Sequence, residues 1–453
     1  MCDVDILSKR ESVEPTKENT MIVIIGAGLA GLSTASFLGR IPHKVFEREA
    51  MVGGLCRSHQ VDGFTFDQAG HVLHCKSVGI RRFVEKLLGD GLVSHSRHSA
   101  IYSKNVLTPY PFQANLHGLP REVVRDCLFG YVAALVKGNS SLDAHFSSFK
   151  AWILGNFGEG IAEHFMVPFN EKLWKVPLEE LTTEWTALVP RPELEDVING
   201  AFGLANRDFG YNTKFFYPRS GGIQTLPFAL LQRIGKVECH KEVVEVSTKS
   251  RRVQFADGST ENYEALVSTM PLPELLWRCT DLPKSLREGS KDLRWTSVYT
   301  VNLAVARKNI STQHWIYFPE KIFPFYRVGF PMNLSLSMGK KGTSSIAAEI
   351  SHRPDVQISH GKLIKQTCSG LVRAGICRPD DTFIISEVQD IPYAYVIFDR
   401  ARGVIVPKLL AELERRGIYS VGRYGRWEHT SMENAIQQGK DLATRLRRTM
   451  MAF

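Results

Sequence analysis

A glycine-rich turn stands between an apolar run and a helical pattern near the start of the chain. Residues 22–25, Ile-Val-Ile-Ile, are continuously apolar, which is typical of a parallel strand buried on both faces. Gly26, Gly28 and Gly31 follow in a GxGxxG pattern, which suits a tight turn, a close approach to pyrophosphate and tight helix packing. The N–H groups at the start of the helix would favour an anion. We therefore predict a dinucleotide site, with a glycine-rich turn that binds no ligand as the alternative.

A later acid and a second glycine pair indicate which dinucleotide binds. The next strand candidate, residues 44–46, ends at Glu47, at the distance along the chain where a partner for a ribose hydroxyl is expected. A Gly-Gly pair at residues 53–54 and Arg57 follow, and an alternating strand then ends at Gly70 and His71. A cofactor longer than one mononucleotide would use both segments. This favours FAD over NAD.

Length and composition indicate an ordinary globular chain. The 453 residues exceed what one core usually supports, so we expect two or three interleaved domains. The net charge of +9 is spread along the chain, which favours an anionic small ligand over nucleic acid. No apolar run reaches the roughly 18 residues of a transmembrane helix. The longest run, residues 127–136, is expected to form a buried helix.

The cysteines and the N-terminal segment suggest a cytoplasmic protein. The eight cysteines show neither a CxxC motif nor a metal-binding spacing, so we expect free thiols in a reducing compartment. Residues 1–20 are polar and carry acids, and they resemble neither a secretory signal nor a transit peptide. We expect them to form a disordered arm.

The hydrophobic patterns assign the rest of the chain to three parts. Strand patterns in residues 21–105, 215–290 and 396–453 predict one discontinuous FAD-binding domain. Helical periodicity in residues 106–214 predicts an inserted substrate or lid domain. Residues 291–395 predict a second sheet domain that contributes to the substrate site.

Five longer motifs, in the same order along the chain, resemble those of one enzyme family. They are GHVLH at 70–74, YPFQAN at 110–115, GIAEHFMVPFNEKLW at 160–174, HWIYFPEKIFPFYR at 314–327 and GRYGRW at 422–427. Together they resemble the flavin-dependent UDP-galactopyranose mutases, especially the eukaryotic type. The mutases fall within the wider fold group of the flavin amine oxidases and protoporphyrinogen oxidases. The similarity covers residues 21 to about 445.

The resemblance implies a fold class and a reaction without net oxidation. The implied fold is α/β, with a Rossmann-like FAD-binding domain of the GR2 type, an inserted helical domain and a second, antiparallel-sheet domain. In this family, N5 of reduced FAD attacks the anomeric carbon of a nucleotide sugar, releases the nucleoside diphosphate and forms a flavin–sugar adduct. The sugar ring opens and recloses through a different hydroxyl, and the diphosphate returns, which interconverts pyranose and furanose forms. The implied partner is a small-molecule nucleotide sugar, while NADPH or NADH as reductant and a homo-oligomer are compatible with it.

The positions that match the family's cofactor site extend the glycine-rich turn. By resemblance, His71 is a catalytic residue that lies over the flavin near N5, where its protonation could follow the flavin charge. The helix beginning near Ser431 would direct its N-terminal N–H groups at the negative charge of reduced flavin. The candidate cofactor residues are Gly26, Gly28, Gly31, Glu47, Gly53, Gly54, Leu55, Arg57, Gly70, His71, Val243, Gly422, Arg423, Ser431 and Met432.

The candidate substrate site centres on one arginine. Arg327 follows an apolar-aromatic strand, and its guanidinium could hold two diphosphate oxygens in a fork, the second catalytic role that the resemblance implies. Met166, Asn170 and Trp174 fall on one side of a predicted helix. The candidate substrate residues are Tyr110, Gln113, Phe165, Met166, Asn170, Trp174, Asn212, Trp315, Tyr317, Arg327 and Tyr395.

The sequence departs from the family at two phosphate-binding positions. The second diphosphate arginine of the mutases follows a tryptophan matched here by Trp185, but Arg191 is displaced from that position. His429, Thr430 and Ser431 stand where a mutase carries tyrosine and an acid or asparagine. These changes predict a weaker diphosphate clamp. They leave open another activated sugar, or a related glycoside, as the substrate.

Two other functional classes stay open. An FAD-dependent oxidoreductase of the amine oxidase or protoporphyrinogen oxidase type would share the FAD motifs and use oxidised flavin. Such an enzyme has no reason to carry the motifs at 110–115, 160–174 and 314–327 together. A flavin-binding protein without catalysis is disfavoured by the predicted pocket aromatics.

Overall fold

The computed structural model describes residues 21–137, 146–204, 207, 209–210 and 213–451. Its strands are β1 (Ile22–Ile25), β2 (His43–Phe46), β3 (Ser58–Val61), β4 (Phe64–Asp67), β5 (Leu92–Ser96), β6 (Ser99–Ser103), β7 (Val106–Pro109), β8 (Lys214–Pro218), β9 (Val243–Ser247), β10 (Arg252–Phe255), β11 (Thr260–Asn262), β12 (Ala265–Ser268), β13 (Trp295–Val305), β14 (Trp315–Tyr317), β15 (Arg327–Gly329), β16 (Ser344–His352), β17 (Phe383–Val396) and β18 (Ile418–Ser420).

Along the chain, the helices lie between these strands, either singly or as several consecutive helices. They are α1 (Leu29–Leu38), α2 (Val78–Leu88), α3 (Arg121–Val136), α4 (Phe149–Ile161), α5 (Val167–Trp174), α6 (Leu194–Phe202), α7 (Thr225–Ile234), α8 (Leu272–Arg278), α9 (Lys284–Gly289), α10 (Pro331–Leu334), α11 (His360–Arg373), α12 (Arg400–Arg415), α13 (Gly422–Gly425) and α14 (Met432–Met451).

A four-stranded parallel sheet carries the glycine-rich turn. Its order is β18-β12-β1-β2, and every pair in it is parallel. Ile22 and Ile24 belong to one hydrophobic cluster, whereas Val23 and Ile25 belong to another. The strand is therefore buried on both faces, as its continuous apolar run predicts.

A larger, mostly antiparallel sheet forms the second layer. Its order is β17-β13-β16-β15-β14-β6-β7, and only the β14–β6 pair is parallel. Strands β6 and β7 come from residues 99–109, which lie early in the chain and join a sheet built mainly from residues 295–396. The predicted α/β fold class, with a parallel sheet and a second antiparallel sheet, is confirmed.

Helices α3 to α6 form a helical layer with its own hydrophobic cluster. A π-helical turn, Ala162–Met166, joins α4 to α5. The prediction that residues 127–136 form a buried helix is wrong for one face of α3. On that face Phe129 is 77% exposed and Val136 81% exposed, whereas Cys127 and Tyr131 on the other face are buried. A run without charges does not distinguish the two faces of a helix, because burial depends on what packs against each face.

The described residues bear on two further expectations. Every cysteine among them carries a free thiol. Among the same residues, no helix is both long enough and apolar enough to cross a membrane.

Candidate functional site

A cavity of about 890 Å³ is lined by residues from the parallel sheet, the antiparallel sheet and the helical layer. One part of its lining holds the predicted cofactor residues, and we call this part the cofactor half. The other part holds the predicted substrate residues, and we call it the substrate half. The two halves share one continuous space.

The turn after β1 needs glycine for two different reasons. Gly26 has φ +94°, and a Cβ added there would lie 2.0 Å from Oγ1 of Thr269. A Cβ added to Gly31 would lie 2.0 Å from the carbonyl oxygen of Gly26, so this glycine lets α1 pack against the turn. At Gly28 the nearest atom to an added Cβ is the Cα of Gly54, 3.8 Å away. Gly28 therefore leaves space on the side of the cavity, as a pyrophosphate site requires.

The second glycine pair closes against the first turn through backbone atoms. The Gly53 N–H donates to the Ala27 carbonyl at 2.9 Å, and Gly54 has φ +57°. Glu47 is 7% exposed, and its carboxylate accepts from the Ala27 N–H at 2.7 Å and from the Glu49 N–H at 3.1 Å. This region has glycines, a helix N-terminus without a side-chain cap and an acid after β2, which together fit a dinucleotide. The residues present therefore fit FAD.

The C-terminal helices complete the cofactor half. Gly422, with φ +82°, lies so close to α1 that an added Cβ would be 2.8 Å from the Cβ of Ala30. Arg423 donates from Nε at 3.1 Å and from Nη2 at 2.7 Å to the Thr430 carbonyl, just before α14 begins. Ser431 caps α14 by accepting from the Asn434 N–H at 3.1 Å. The N-terminus of α14 therefore faces the cavity, which Ser431 and Met432 line.

His71 lies in the cavity wall between the two halves. Burial and the nearby Arg423 guanidinium lower the pKa of His71 to about 4. The imidazole is therefore neutral near pH 7, and it can donate or accept a hydrogen bond but does not carry a positive charge. His74, on the same loop, is half-buried as His71 is, and burial lowers its pKa as well.

Most of the predicted residues line the cavity. All the candidate cofactor residues except Gly31 do so, and Gly31 instead supports the turn from behind. Asn212 lies outside the described residues. The candidate substrate residues in the cavity wall are Tyr110, Gln113, Phe165, Met166, Asn170, Trp174, Trp315, Tyr317, Arg327 and Tyr395.

Aromatic rings form most of the wall of the substrate half. Phe165 stacks on Phe169, with ring centroids 5.4 Å apart, and Phe169 meets the Tyr317 ring edge-on at 5.5 Å. Tyr317 also lies 5.6 Å from the Tyr110 ring. Trp174 meets Tyr395 edge-on at 5.9 Å. This wall suits a ligand with a flat or apolar part, which it can hold by stacking.

The side-chain amides of Asn170 and Gln113 form hydrogen bonds with other protein groups in the cavity wall. The Asn170 side chain donates to the Met166 carbonyl at 2.7 Å and accepts from the Trp174 indole N–H at 3.2 Å. Gln113 is 1% exposed and donates to the Pro190 carbonyl at 2.7 Å. These bonds hold α5 and the loop before α3 in place, so both amides help to shape the cavity.

Arg327 forms an ion pair that the sequence analysis does not include. Strand pairing places Arg327 opposite Glu349 on one side and Tyr317 on the other. The guanidinium donates from Nε at 3.1 Å and from Nη2 at 2.6 Å to Oε1 of Glu349, whose side chain is only 2% exposed. Oε1 also accepts from the Gly70 N–H at 3.0 Å. Glu349 therefore connects the candidate clamp arginine to the loop that carries His71.

A row of hydroxyl groups continues from Glu349 into the cavity. The Tyr326 hydroxyl donates to Oε2 of Glu349 and lies 3.2 Å from the Tyr395 hydroxyl. Burial raises the pKa of Tyr395, so this hydroxyl keeps its proton. His429 lies beside the Tyr395 ring, with centroids 6.4 Å apart, and burial lowers the pKa of His429 to about 3. The substrate half thus has neutral hydrogen-bonding groups and the ion pair of Arg327 with Glu349, whose charges cancel.

Sequence reasoning missed Tyr326 and Glu349. The signal for Glu349 was present, because it is the one acid in the otherwise uncharged run SSIAAEIS of residues 344–351. A lone carboxylate in a buried strand needs a cationic or hydrogen-bonding partner. Nothing in the sequence identifies that partner as Arg327, which is 22 residues away in the chain.

Arg191 does not take the place of the second family arginine. Its side chain is exposed, and Nη1 lies 3.4 Å from the Asn156 side-chain oxygen. Pro190 lines the cavity, but Arg191 does not.

Comparison with known proteins gives a family and a structural likeness. The model of the family "Flavin containing amine oxidoreductase" matches residues 29–447. The crystal structure of reduced UDP-galactopyranose mutase has a TM-score of 0.89 and 26% sequence identity, covering 95% of this chain and 94% of that one. A proposed protoporphyrinogen oxidase from Exiguobacterium sp. 255-15 has a TM-score of 0.74 at 15% identity and covers 95% of this chain and 99% of that one, which shows a shared fold.

Curated relatives match only a short segment. Prenylcysteine oxidase 1 of Rattus norvegicus is 34% identical over 86 residues, which is 18% of this chain and 17% of that protein. The chain therefore matches less than a fifth of the length of this relative.

Proposed function

We propose that this chain, which belongs to the family of flavin containing amine oxidoreductases, is an FAD-dependent isomerase. Its reaction would interconvert the pyranose and furanose forms of an activated sugar, UDP-galactopyranose or a related sugar, with no net redox change. One observation carries the proposal. Residues from the motifs at 110–115, 160–174 and 314–327 line one cavity together with the glycines that fit FAD. The likeness to reduced UDP-galactopyranose mutase supports it.

FAD is the cofactor, and this chain provides a site for each of its parts. Gly28 leaves room for the pyrophosphate, and His71 and Arg423 line the same cavity. When bound in its reduced form, FAD supplies a nucleophile for the anomeric carbon without a net transfer of electrons.

The residues of the substrate half would hold the sugar and exclude water. The half-buried rings of Phe169 and Tyr317 would orient a flat group of the substrate. The Tyr395 hydroxyl, backed by Tyr326 and Glu349, would hold a proton at the edge of the cavity beside the sugar hydroxyls. An enclosed site of this kind protects a reactive sugar from hydrolysis.

A second candidate is an FAD-dependent oxidoreductase that uses oxidised flavin. The observation in its favour is the ion pair of Arg327 with Glu349, because it neutralises the charge that a diphosphate clamp would use. An oxidase that acts on an uncharged substrate needs no diphosphate clamp.

The dependence of turnover on the flavin redox state separates the two functions. FAD-loaded protein would be incubated without oxygen, before and after dithionite reduction, with UDP-galactopyranose and separately with a nitrophenyl galactopyranoside. The proposal expects a product with a changed ring form only after reduction, detected by chromatography. Turnover by the oxidised protein, with hydrogen peroxide formed in proportion, would contradict it and establish the oxidoreductase.

A further inference from the structure

Most of the positive charges of the cofactor half are paired with carboxylates. Four of the lysines and arginines that line the cavity each have an acidic partner, and they lie after β2, before β3, before β9 and at the end of α8. The pairs are Arg48 with Glu274 at 3.5 Å, Arg57 with Glu49 at 3.5 Å, Lys241 with Asp257 at 2.6 Å and Arg278 with Glu242 at 3.3 Å. Each of these four charges therefore has a counter-charge within the protein.

The arginine of the substrate half is paired through more hydrogen bonds. Arg327 and Glu349 share a fork of three hydrogen bonds of 2.6 to 3.1 Å, and Glu349 has almost no contact with solvent. These bonds use Nε and Nη2 of Arg327, so a diphosphate could reach Nη1, but its oxygens would then lie near a buried carboxylate that already neutralises the guanidinium. Like charges at such a distance in a poorly hydrated site repel strongly.

Arg423 is the remaining arginine in the described lining of the cavity. Its partner is a carbonyl, that of Thr430, rather than a carboxylate. It lies on α13, whose first residue, Gly422, contacts α1 and so belongs to the cofactor half. Reduced flavin carries negative charge of its own, and Arg423 lies on that side of the cavity. A ligand with two negative charges would therefore find no second cation without a carboxylate partner in the described wall.

The remaining wall favours a ligand without charge. Rings of Phe169, Trp174 and Tyr317 provide stacking surfaces, and the hydroxyl of Tyr395 provides a neutral hydrogen bond. Arg97 lies 4.5 Å over the Tyr110 ring but does not line the cavity. Aromatic walls with few polar groups are typical of sites for small, mainly apolar ligands.

We infer that the substrate half selects an uncharged sugar derivative with an aromatic or apolar aglycone over a sugar diphosphate, and that Glu349 determines this preference. The sugar part of this inference rests on the proposed function. The preference for a neutral ligand rests on the ion pair and the aromatic wall alone.

The preference can be measured with two pairs of probes. Reduced, FAD-loaded protein would be titrated with uridine against UDP, and with a nitrophenyl galactoside against galactosyl phosphate. Quenching of tryptophan fluorescence would report binding, because Trp174 and Trp315 line the cavity. We expect each neutral probe to bind at least about tenfold more tightly than its charged partner, with little dependence on salt.

The Glu349→Gln variant tests the cause of the preference. It removes the negative charge beside Arg327, so the affinity for UDP should rise by about tenfold or more while that for uridine stays unchanged. Asp381→Asn is the matched control, because Asp381 holds Arg307 in a fork of two 2.7 Å bonds outside the cavity. This control should change neither affinity.

Several results would overturn the inference. These are tighter binding of UDP than of uridine by the unaltered protein, no binding of any of the four probes, or a folded Glu349→Gln variant with unchanged UDP affinity. The probe ratios of the unaltered protein decide the question if the variant does not fold. Binding of the neutral probes without any change of ring form would instead refute the proposed function and leave the charge preference standing.

Discussion

At the scale of single residues, the pairing of Arg327 with Glu349 makes this arginine a structural as well as a site residue. Replacing Arg327 with Met leaves Glu349 buried without its partner. We expect the free energy of unfolding to fall by about 3–5 kcal/mol, measured by urea denaturation. In the double variant Arg327→Met with Glu349→Gln, most of the loss should be recovered, because no buried charge remains unpaired.

Arg191→Ala is the control for this prediction. Its side chain is exposed and does not line the cavity, so stability should change by less than about 0.5 kcal/mol. A stability loss at Arg191 as large as that at Arg327 would show that the ion pair is not the cause.

Lys172 should make stability depend on pH. Its amino group donates to the carbonyls of Phe318 at 2.9 Å and Glu320 at 2.8 Å, which ties α5 to the loop after β14. Burial, together with the nearby Lys175, lowers the pKa of Lys172 from its usual 10.5 to about 7. Between these pH values the unfolded chain binds more protons, so this residue's contribution to stability rises as pH rises from 7 towards 10.5.

Denaturation at several pH values with Lys172→Met would test this contribution. The variant should lose the rise in stability above pH 7, whereas Lys284→Met, an exposed lysine, should retain it. An identical pH profile for the Lys172 variant and the unaltered protein would refute the assignment.

Among the secondary-structure elements, the turn between β1 and α1 has one glycine needed for flavin binding, Gly28, and one needed for folding, Gly31. Gly28 has φ −74° and space for a side chain, so Gly28→Val should fold but fill the place of the pyrophosphate. Purified Gly28→Val should be folded and colourless. Gly31→Val should instead fail to fold, because its Cβ would clash with the Gly26 carbonyl. Circular dichroism and the visible absorbance of flavin distinguish the two outcomes, and a yellow Gly28→Val protein would contradict the assignment.

At the scale of the whole molecule, one cavity joins three parts of the fold. Its lining comes from the parallel sheet, the antiparallel sheet and the helical layer, so bound FAD should stabilise all three together. With free FAD at 100 times its dissociation constant, the free energy of unfolding should rise by about 2.7 kcal/mol.

Thermal unfolding of the apoprotein at increasing FAD concentrations measures this effect. One transition should move to higher temperature as a whole, and Gly28→Val should show no shift. Two transitions, of which only one responds to FAD, would show that the parts unfold independently.

Local sequence patterns were enough to predict the first strand, the turn after it and the cofactor. The β-branched run at residues 22–25 and the spacing of Gly26, Gly28 and Gly31 predicted a parallel strand, a tight turn and FAD, because strand propensity and the conformational freedom of glycine act within a few residues. The motif at 160–174 likewise predicted the residues of one cavity wall.

Only the tertiary structure shows which charged side chains form ion pairs and which side chains are exposed. Arg327 follows an aromatic strand in the sequence, but only the pairing of β15 with β16 brings it to Glu349 and neutralises its charge. The exposed face of α3 and the surface position of Arg191 depend in the same way on what packs against them. The partner of an ion pair and the exposed face of a helix depend on residues distant in the chain, so no local pattern of residues specifies them.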